Sequence, residues 1–399
     1  MAKLKVAYIT NLYWPYEIGG AEMYVRKLIG QIRAEVDPFI ITTTKFRFRN
    51  VLRPTVETTD NVRVYRFYPI NICSPHTLRK LPAFLKPVWH IIDLWNIHAY
   101  CMVKSILKKE KPDVVHSHNI AGFSTSIFKA ARSCSMKSVH TLHDYQLISP
   151  WAILFRGGKI IKHFNFFEKI FQSIKRSTSR RIDVVTAPSE FVLKCHSQLG
   201  YFHGSKLLTV RLGVGFAGAP EKRERRSEFT VLYIGQLVEH KGVDVLVRAF
   251  KNIKGDDCRL VIAGTGPTES YLRRLALGDS RISLTGFISG VQKAELFKAA
   301  SVAVVPSVWY DNSPVAIYES FGYGVPVVGS DIGGIPELIV DNVNGLTVNP
   351  GDTDDLERAL RKLHDDPVLR IKLSANASAS LRQYSFVNHV SELLKLYRE

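Results

Sequence analysis

The chain has 399 residues, 46% of them hydrophobic, which is enough to bury two cores of roughly 200 residues each and excludes a disordered protein. Its net charge of +18 is uneven, since residues 1–215 hold 32 of the 54 Lys and Arg but only 13 of the 36 Asp and Glu. A charge this one-sided indicates an anionic partner, whether nucleic acid, an anionic membrane or an acidic substrate, unless it serves solubility alone.

The cysteine pattern and the N-terminal segment bear on location. The five cysteines are scattered, with no close pair of the metal-binding or redox type, which favours free thiols in a reducing compartment. The segment MAKLKVAYIT enters a strand directly, and no run of about 18 apolar residues occurs. We therefore expect a cytoplasmic protein without a membrane span.

The first half alternates strands with helices. A strand at 5–10 is followed by Gly19 and Gly20 and by a helix at 21–33, an arrangement that lets backbone amides approach a phosphate, although a Gly-Gly pair alone usually marks a plain turn. Residues 78–111 are aromatic, basic and predicted to be helical. Further strands are expected at 36–43, 62–67, 113–116, 138–142, 184–187 and 207–212.

Two of these strands end in polar residues that could carry chemistry. His116 and His118 follow the strand at 113–116, but no nearby Cys or carboxylate completes a set of ligands, so we predict a structural or acceptor-side role and no metal. His143, Asp144 and Tyr145 follow the strand at 138–142, where α/β folds place their chemistry. A lone His there is more often structural.

Residues 155–181 contain eight Lys and Arg against one acid. Apolar residues spaced by four and three predict one face of a helix, formed by Ile160, Phe164, Phe167, Phe171 and Ile174. Such a basic amphipathic helix could lie on an anionic membrane surface, or it could pack on its own domain like any surface helix.

The second half repeats the alternation after a linker at 216–227 that is rich in Gly, Ala, Pro and charge. A strand at 230–233 leads through Gln236 and Lys241 into a helix at 243–252, and a strand at 260–263 leads into the turn of Gly264 and Gly266. Later helices are predicted at 354–364 and 384–397. Two rounds of alternation imply two doubly wound parallel sheets.

The segment VVPSVWYDNSPVAIYESFGYGVPVVGS, residues 304–330, organises this half. It is predicted as a strand, a loop, a helix at 314–323 and a second strand, with Asp311 in the loop and Glu319 on the helix, so that both carboxylates can face the end of the sheet. The amides of Asn312, Ser313 and Val315 are donors at a helix N-terminus, which suits a phosphate. Alternatively, Asp311 only caps the helix and Glu319 is solvated.

This segment, together with SDIGGIPELIVDNVNGLTV at 330–348, resembles the signature of the large retaining, GT-B type family of nucleotide-sugar glycosyltransferases, in which two Glu stand at this spacing. Here Asp311 takes the place of the first. The resemblance covers essentially the whole chain. It implies the α/β GT-B fold, with two Rossmann-like domains facing across a cleft. Residues 1–215, plus a helix at 384–399 that crosses back, would bind the acceptor, and residues 216–383 the donor.

The resemblance also implies roles for individual residues. Catalysis would involve His143, Asp311 and Lys241, and the acceptor side would involve His118, Asp144 and Tyr145. The donor would be bound by Gly19, Gly20, Gln236, Lys241, Gly264, Gly266, Phe287, Asn312, Ser313, Val315 and Glu319, with Glu319 on the ribose. Gln236 stands where the family usually has Arg, and residues 212–215 read Leu-Gly-Val-Gly where Asn-Gly-Val-Asp is usual.

The expected reaction is transfer of a hexosyl group from a UDP- or GDP-linked sugar to an acceptor hydroxyl, with retention and without a metal or other cofactor, in cell-envelope glycan, lipopolysaccharide or polysaccharide biosynthesis. The acceptor would be a glycan or lipid-linked, and an anionic membrane surface is a candidate partner, whereas nucleic acid is not expected. The rivals are an epimerase or phosphorylase of the same architecture, and a non-catalytic protein that binds membranes or nucleic acid.

Overall fold

The computed structural model describes residues 3–16, 19–180, 182–215 and 228–399. The predicted linker at 216–227 lies outside the described residues. Within them the strands are β1 Leu4–Ile9, β2 Val36–Thr43, β3 Thr55–Thr59, β4 Val62–Phe67, β5 Val114–Ser117, β6 Lys137–Thr141, β7 Phe155–Arg156, β8 Lys159–Ile160, β9 Val184–Ala187, β10 Lys206–Thr209, β11 Phe229–Ile234, β12 Cys258–Ala263, β13 Ile282–Gly286, β14 Val302–Val305, β15 Val327–Ser330 and β16 Gly345–Val348.

The helices connect these strands. They are α1 Gly20–Ile32, α2 Phe48–Leu52, α3 Lys86–Ile92, α4 Ile97–Glu110, α5 Ser126–Ser133, α6 Phe166–Ser179, α7 Glu190–Gln198, α8 Val243–Asn252, α9 Glu269–Ala276, α10 Gly290–Ala299, α11 Val315–Gly322, α12 Thr353–Asp365, α13 Pro367–Leu381 and α14 Phe386–Arg398. Short 3₁₀ turns occur at Leu78–Lys80, Ala83–Leu85, Glu239–Lys241 and Arg382–Tyr384.

The first compact unit comprises Met1–Ile153, His163–Arg211 and His389–Glu399. Its sheet has the strand order β10-β9-β6-β5-β1-β2-β4-β3, parallel except for β3, which pairs antiparallel with β4. The central strands are buried from Val6 to Ile9 in β1 and along all of β5, as expected when helices cover both faces of a parallel sheet. The chain order reverses between β1 and β5, and ligands of such sheets bind outside the carboxyl ends of the strands at that switch point.

The second unit comprises Leu154–Lys162 and Leu212–Asn388. Its sheet is wholly parallel, with the order β13-β12-β11-β14-β15-β16, so its switch point lies between β11 and β14. The core under this sheet is made by the inward faces of β11, β12 and β14 and by the apolar sides of α8 and α12. The α/β prediction with two doubly wound parallel sheets is confirmed.

The last helix re-enters the first unit, as predicted. From His389 onward the chain belongs to that unit, where the Tyr397 hydroxyl lies 3.1 Å from that of Tyr8 and the His389 ring meets the Tyr24 hydroxyl at 2.5 Å. These contacts are buried. The C-terminal helix is therefore part of the core of the first unit.

The prediction of one amphipathic helix over 155–181 is wrong. Gly157 and Gly158 take positive φ angles and turn the chain into the hairpin β7–β8, which contains Ile160. The helix begins only at Phe166, because the Asn165 side chain accepts a hydrogen bond from the Glu168 amide and closes a capping box.

The aromatic, basic segment 78–111 is also not one helix. Two 3₁₀ turns precede α3, and the chain then breaks before α4, where the Asn96 side chain caps the new helix by accepting from the Ala99 amide at 2.9 Å. Among the described residues, no helix combines the length and the apolar character that crossing a membrane requires.

Candidate active site

At the switch point of the second unit, Lys241 meets Asp311. Lys241 ends the 3₁₀ turn after β11, and Asp311 lies in the loop after β14, so the two neighbouring strands deliver the two charges to one place. The Lys241 ammonium forms an ion pair with the Asp311 carboxylate, which also accepts a hydrogen bond from the Ser307 hydroxyl at 3.0 Å. The side chains of Lys241 and Asp311 are 23% and 10% exposed, so the cation remains partly accessible.

Two glycines whose backbone lies against a carbonyl oxygen hold Lys241 and Asp311 in place. Gly242 has a φ of 65°, and a Cβ there would lie 2.0 Å from the carbonyl oxygen of Pro306. Gly333 has a φ of 64°, and its Cβ would lie 2.4 Å from the carbonyl oxygen of Asp311. The Gly334 amide donates to that same oxygen at 2.7 Å. The loop 330–337 therefore fixes the position of the Asp311 backbone.

Helix α11 begins at Val315, directly after the loop that contains Asp311. In its first turn the Ile317 amide donates to the Pro314 carbonyl at 3.1 Å, and the amides that precede it form a site suited to an anion. The Ser313 hydroxyl is anchored to the Tyr318 hydroxyl at 2.7 Å. Glu319, one turn later, pairs with Lys293 of α10 at 2.6 Å. Glu319 is therefore not merely solvated.

The glycine turns after β11 and β12 lie against each other. A Cβ at Gly264 would be 1.8 Å from the carbonyl oxygen of Gly235, and one at Gly266 would be 2.1 Å from that of Leu237. Gln236 lies between the two close approaches and is exposed. Phe287, after β13, is 77% exposed at the same carboxyl edge of the sheet.

In the first unit, α1 begins at the switch point with Gly19 as its N-cap. The Gly19 amide donates to the buried Glu22 carboxylate at 2.9 Å. A Cβ at Gly20 would meet no protein atom within 4 Å, so packing does not require glycine at that position. Open space in front of a helix N-terminus is what an anionic ligand needs.

His143, at the end of β6, belongs to a buried network. It shares a 3.0 Å hydrogen bond with His118, whose ring lies 4.3 Å from that of His116. His116 contacts the hydroxyls of Tyr397 at 2.6 Å and Thr141 at 2.7 Å. Burial lowers the pKa of His143 to about 4 and the pKa of His118 well below its usual range, so both rings are neutral at pH 7.

A cavity of about 380 Å³ opens in front of His143 within the first unit. Asp144 lines it, and burial raises the pKa of the Asp144 carboxyl to about 7. Gly19, Gly20 and Glu22 line it as well. His118 and Tyr145 are completely buried and do not line the cavity, so the structure places these two predicted acceptor-side residues beneath it.

Comparison with known families assigns both halves of the chain. The profile described as Glycosyltransferase Family 4 matches residues 18–214, and that described as Glycosyl transferases group 1 matches residues 219–380. The chain belongs to the group 1 glycosyltransferases.

Individual relatives agree with this assignment. The glycosyltransferase is 25% identical to an uncharacterized 42.6 kDa protein in the cps region of Klebsiella pneumoniae, covering 84% of this chain and 87% of the relative. It is 28% identical to the UDP-Gal:alpha-D-GlcNAc-diphosphoundecaprenol alpha-1,3-galactosyltransferase of Escherichia coli, covering 85% and 84%. Among solved structures, HepE of Anabaena in complex with UDP matches with a TM-score of 0.72 at 17% identity, covering 98% and 99%, which supports the GT-B fold.

Several residues of the two candidate sites, one in each unit, were not anticipated from the sequence. No sequence pattern marked Lys293 as a partner of Glu319, because a lysine within a helix is ordinarily a surface residue. Gly333 stood in the quoted IGGIPE segment, but its contact with Asp311 depends on tertiary structure. The cavity residues Trp151, Asp93 and Lys175 come from three separate segments.

Proposed function

We propose that this glycosyltransferase moves a hexosyl group from a nucleoside diphosphate sugar to an acceptor hydroxyl with retention of configuration, in the synthesis of a cell-envelope glycan or polysaccharide. The observation that carries the proposal is the meeting of Lys241 with Asp311 at the switch point of the second unit. In this proposal Lys241 neutralises the leaving diphosphate, and Asp311 lies beside the sugar.

Charge on the departing diphosphate is the main obstacle to such a transfer. In the second unit, the partly exposed Lys241 and the amides at the start of α11 supply positive potential, so the proposed mechanism needs no metal ion. The N-terminus of α1 at Gly20 is a further anion site, within the first unit. Gln236 would add hydrogen bonds but no charge. When the donor binds, Glu319 would release Lys293 and accept hydrogen bonds from the ribose hydroxyls. Gly264, Gly266 and Phe287 would lie near the base.

Asp311 is one methylene shorter than the Glu found there in most of the family. It is held by Lys241 and Ser307 and cannot reach as far, so we propose an altered contact with a hydroxyl of the transferred sugar. His143, neutral and lining the cavity, would lie next to the transferred sugar and the acceptor. Retention is checked by recording the anomeric proton of the glycosidic product by NMR and comparing its configuration with that of the sugar in the donor.

In this proposal the acceptor enters the cavity of the first unit and is a glycan carried on a lipid, like the GlcNAc-diphosphoundecaprenol after which the Escherichia coli relative is named. The exposed face of α6 supports a membrane surface as partner, since Phe166 and Phe167 are 71% and 79% exposed and Ile170 is 43% exposed, with Lys169 beside them. The opposite face, with Phe171, packs on its own unit.

Co-sedimentation with liposomes tests the membrane contact. We expect binding to phosphatidylglycerol vesicles at low salt and loss of binding in a Phe166→Ser, Phe167→Ser double variant, because exposed aromatic rings and lysines together favour an anionic surface. Equal binding of both proteins, or none by the wild type, would contradict a peripheral location on the inner face of the membrane.

A thermal-shift screen against UDP, GDP, ADP and their common sugars tests the donor site. A nucleotide at 100 times its dissociation constant should stabilise the protein by about 2.7 kcal/mol. We expect one base to give this shift equally with magnesium and with EDTA. Glu319→Ala should abolish it, whereas Glu295→Ala, an exposed change on α10, should keep it. A shift that requires magnesium would refute the metal-free mechanism, and no shift with any nucleotide would refute the function.

A further inference from the structure

The cavity of the first unit extends from His143 to a buried ammonium. Lys175 of α6 lines the cavity and is 3% exposed. Its Nζ donates to the carbonyl oxygen of Asp93 at 2.9 Å, and within the described part of the chain this is the one hydrogen bond it makes. An ammonium carries three donors, so two remain for a ligand with hydroxyl oxygens.

Asp93 supplies the matching acceptor. Its carboxylate lines the same cavity, is 8% exposed, and accepts the Gly122 amide at 2.8 Å as well as the Ser124 amide. Because a carboxylate can accept about four hydrogen bonds, it keeps acceptor capacity for a ligand hydroxyl. Burial raises the pKa of Asp93 to about 7, an effect that nearby Lys175 only partly offsets. A donor and an acceptor fixed side by side are what neighbouring hydroxyl groups require.

Trp151 supplies an apolar wall. It lines the cavity with 44% of its surface exposed, and its indole packs against the His90 ring in a T-shaped arrangement with the ring centroids 5.3 Å apart. Trp151 lies on the loop that starts at His143, and this loop closes on itself because the Tyr145 amide donates to the Ala152 carbonyl at 3.2 Å. The indole is therefore tied to the neighbourhood of His143.

Away from the amides at the start of α1, the side-chain charges lining the cavity disfavour an anion. Glu22, Asp93 and Asp144 line it against the single ammonium of Lys175, while burial and the neighbouring lysines lower the pKa of His90 to about 4 and leave that ring neutral. A phosphate or a uronic acid would meet more carboxyl groups than cations here. The positive charge of the chain is therefore not concentrated in this cavity.

We propose that Trp151, Asp93 and Lys175 form a subsite for a neutral pyranose ring of the acceptor, so that the acceptor hydroxyl belongs to a sugar. The apolar face of the ring lies on the indole, and its hydroxyls bond to the ammonium and the carboxylates. This inference rests on the proposed function, since it names the acceptor class of that site.

Saturation-transfer difference NMR tests the subsite with the methyl pyranosides of glucose, galactose, mannose and N-acetylglucosamine as probes. At least one should give a signal with the wild type and bind at least tenfold more weakly to Trp151→Ala. Trp14→Ala is the matched control, because Trp14 is 40% exposed but does not line the cavity, and it should keep the signal. Lys175→Met tests the ammonium where that variant folds.

The outcomes separate the two proposals when the nucleotide shift is measured on the same samples. Absence of any pyranoside signal, or an equal signal from Trp151→Ala, overturns the subsite while a nucleotide shift leaves the proposed function in place. Stronger binding of glucose 6-phosphate or glucuronate than of the neutral glucosides likewise overturns it. Loss of the nucleotide shift alone would refute the donor function, and a pyranoside signal that depends on Trp151 would still support a sugar site.

Discussion

At the scale of single residues, Gly333 tests how Asp311 is positioned. A Cβ there would lie 2.4 Å from the Asp311 carbonyl oxygen and 2.7 Å from its nitrogen, both backbone atoms that cannot turn away. We expect Gly333→Ala to displace Asp311, separate it from Lys241, and weaken donor binding at least tenfold. The measurement is a titration of the nucleotide that stabilises the wild type.

Gly278→Ala is the matched control for Gly333→Ala. Gly278 also has a positive φ, of 82°, but a Cβ there would meet no atom within 4 Å. Both variants should lose about 1–2 kcal/mol of stability from the left-handed backbone alone. If the two variants bind the nucleotide equally well, Gly333 does not brace Asp311.

The sequence predicted the positions of Asp311, Glu319 and Lys241 because each lies in the loop or the helix that directly follows a predicted strand. Residues so placed lie near the edge of the sheet at which that strand ends. It did not predict that Glu319 pairs with Lys293, since that contact joins two helices whose packing no local pattern encodes. Lys175 is not among the apolar residues predicted to form the face of a helix, yet it is buried, because its ammonium donates a hydrogen bond to the carbonyl oxygen of Asp93.

At the scale of elements, α14 shows how a helix contributes polar as well as apolar contacts. Tyr397→Phe removes the hydroxyl that meets His116 at 2.6 Å and Tyr8 at 3.1 Å. Both partners are buried and would be left with an unmade hydrogen bond, so we expect the free energy of unfolding to fall by about 1–3 kcal/mol. Urea unfolding of the two proteins measures this difference.

Val387→Ala is the control on the same helix, because Val387 is 78% exposed and should tolerate truncation. A change of less than about 0.5 kcal/mol for Tyr397→Phe, the range of an ordinary surface substitution, would show that the hydroxyl contributes nothing. The helix was predicted from its apolar spacing alone. That spacing located the buried face but not the hydrogen bonds at its end.

Strand periodicity predicted elements better than helical periodicity did. Strands β2, β4 and β9 were predicted with their observed bounds, since buried apolar runs bounded by turn residues have few alternatives. The predicted helix at 155–181 failed because a spacing of four and three also arises by chance across a hairpin and a loop. The Gly157-Gly158 turn was the signal that could have shown the error.

At the scale of the whole molecule, the buried histidines of the first unit make its stability depend on pH. Burial lowers the pKa of His143, His196 and His389 to about 4 and that of His140 to about 3, against about 6.5 in an unfolded chain. Between those values the unfolded state binds protons that the folded state does not. The stabilisation is therefore complete above pH 6.5 and is lost as the pH falls towards 4.

Two carboxyl groups act in the opposite direction. Burial raises the pKa of Asp93 and Asp144 to about 7, so the folded state takes up their protons first and gains stability as the pH falls below 7. The histidines outnumber them, and each contributes about 1.4 kcal/mol per pH unit. We expect the free energy of unfolding to fall by at least about 1.4 kcal/mol between pH 6.5 and pH 5.5.

Urea unfolding followed by tryptophan fluorescence checks this pH dependence, because four of the five tryptophans (Trp14, Trp89, Trp95 and Trp151) belong to the first unit. His196→Gln should flatten the dependence by up to about 1.4 kcal/mol per pH unit, since glutamine can still donate to the Val192 carbonyl but takes up no proton. His163→Gln, a change of an exposed side chain, should leave it as it is. Stability that rises as the pH falls from 6.5 to 5.5 would mean that the carboxyl groups outweigh the histidines, and that the buried rings already carry protons in the folded unit.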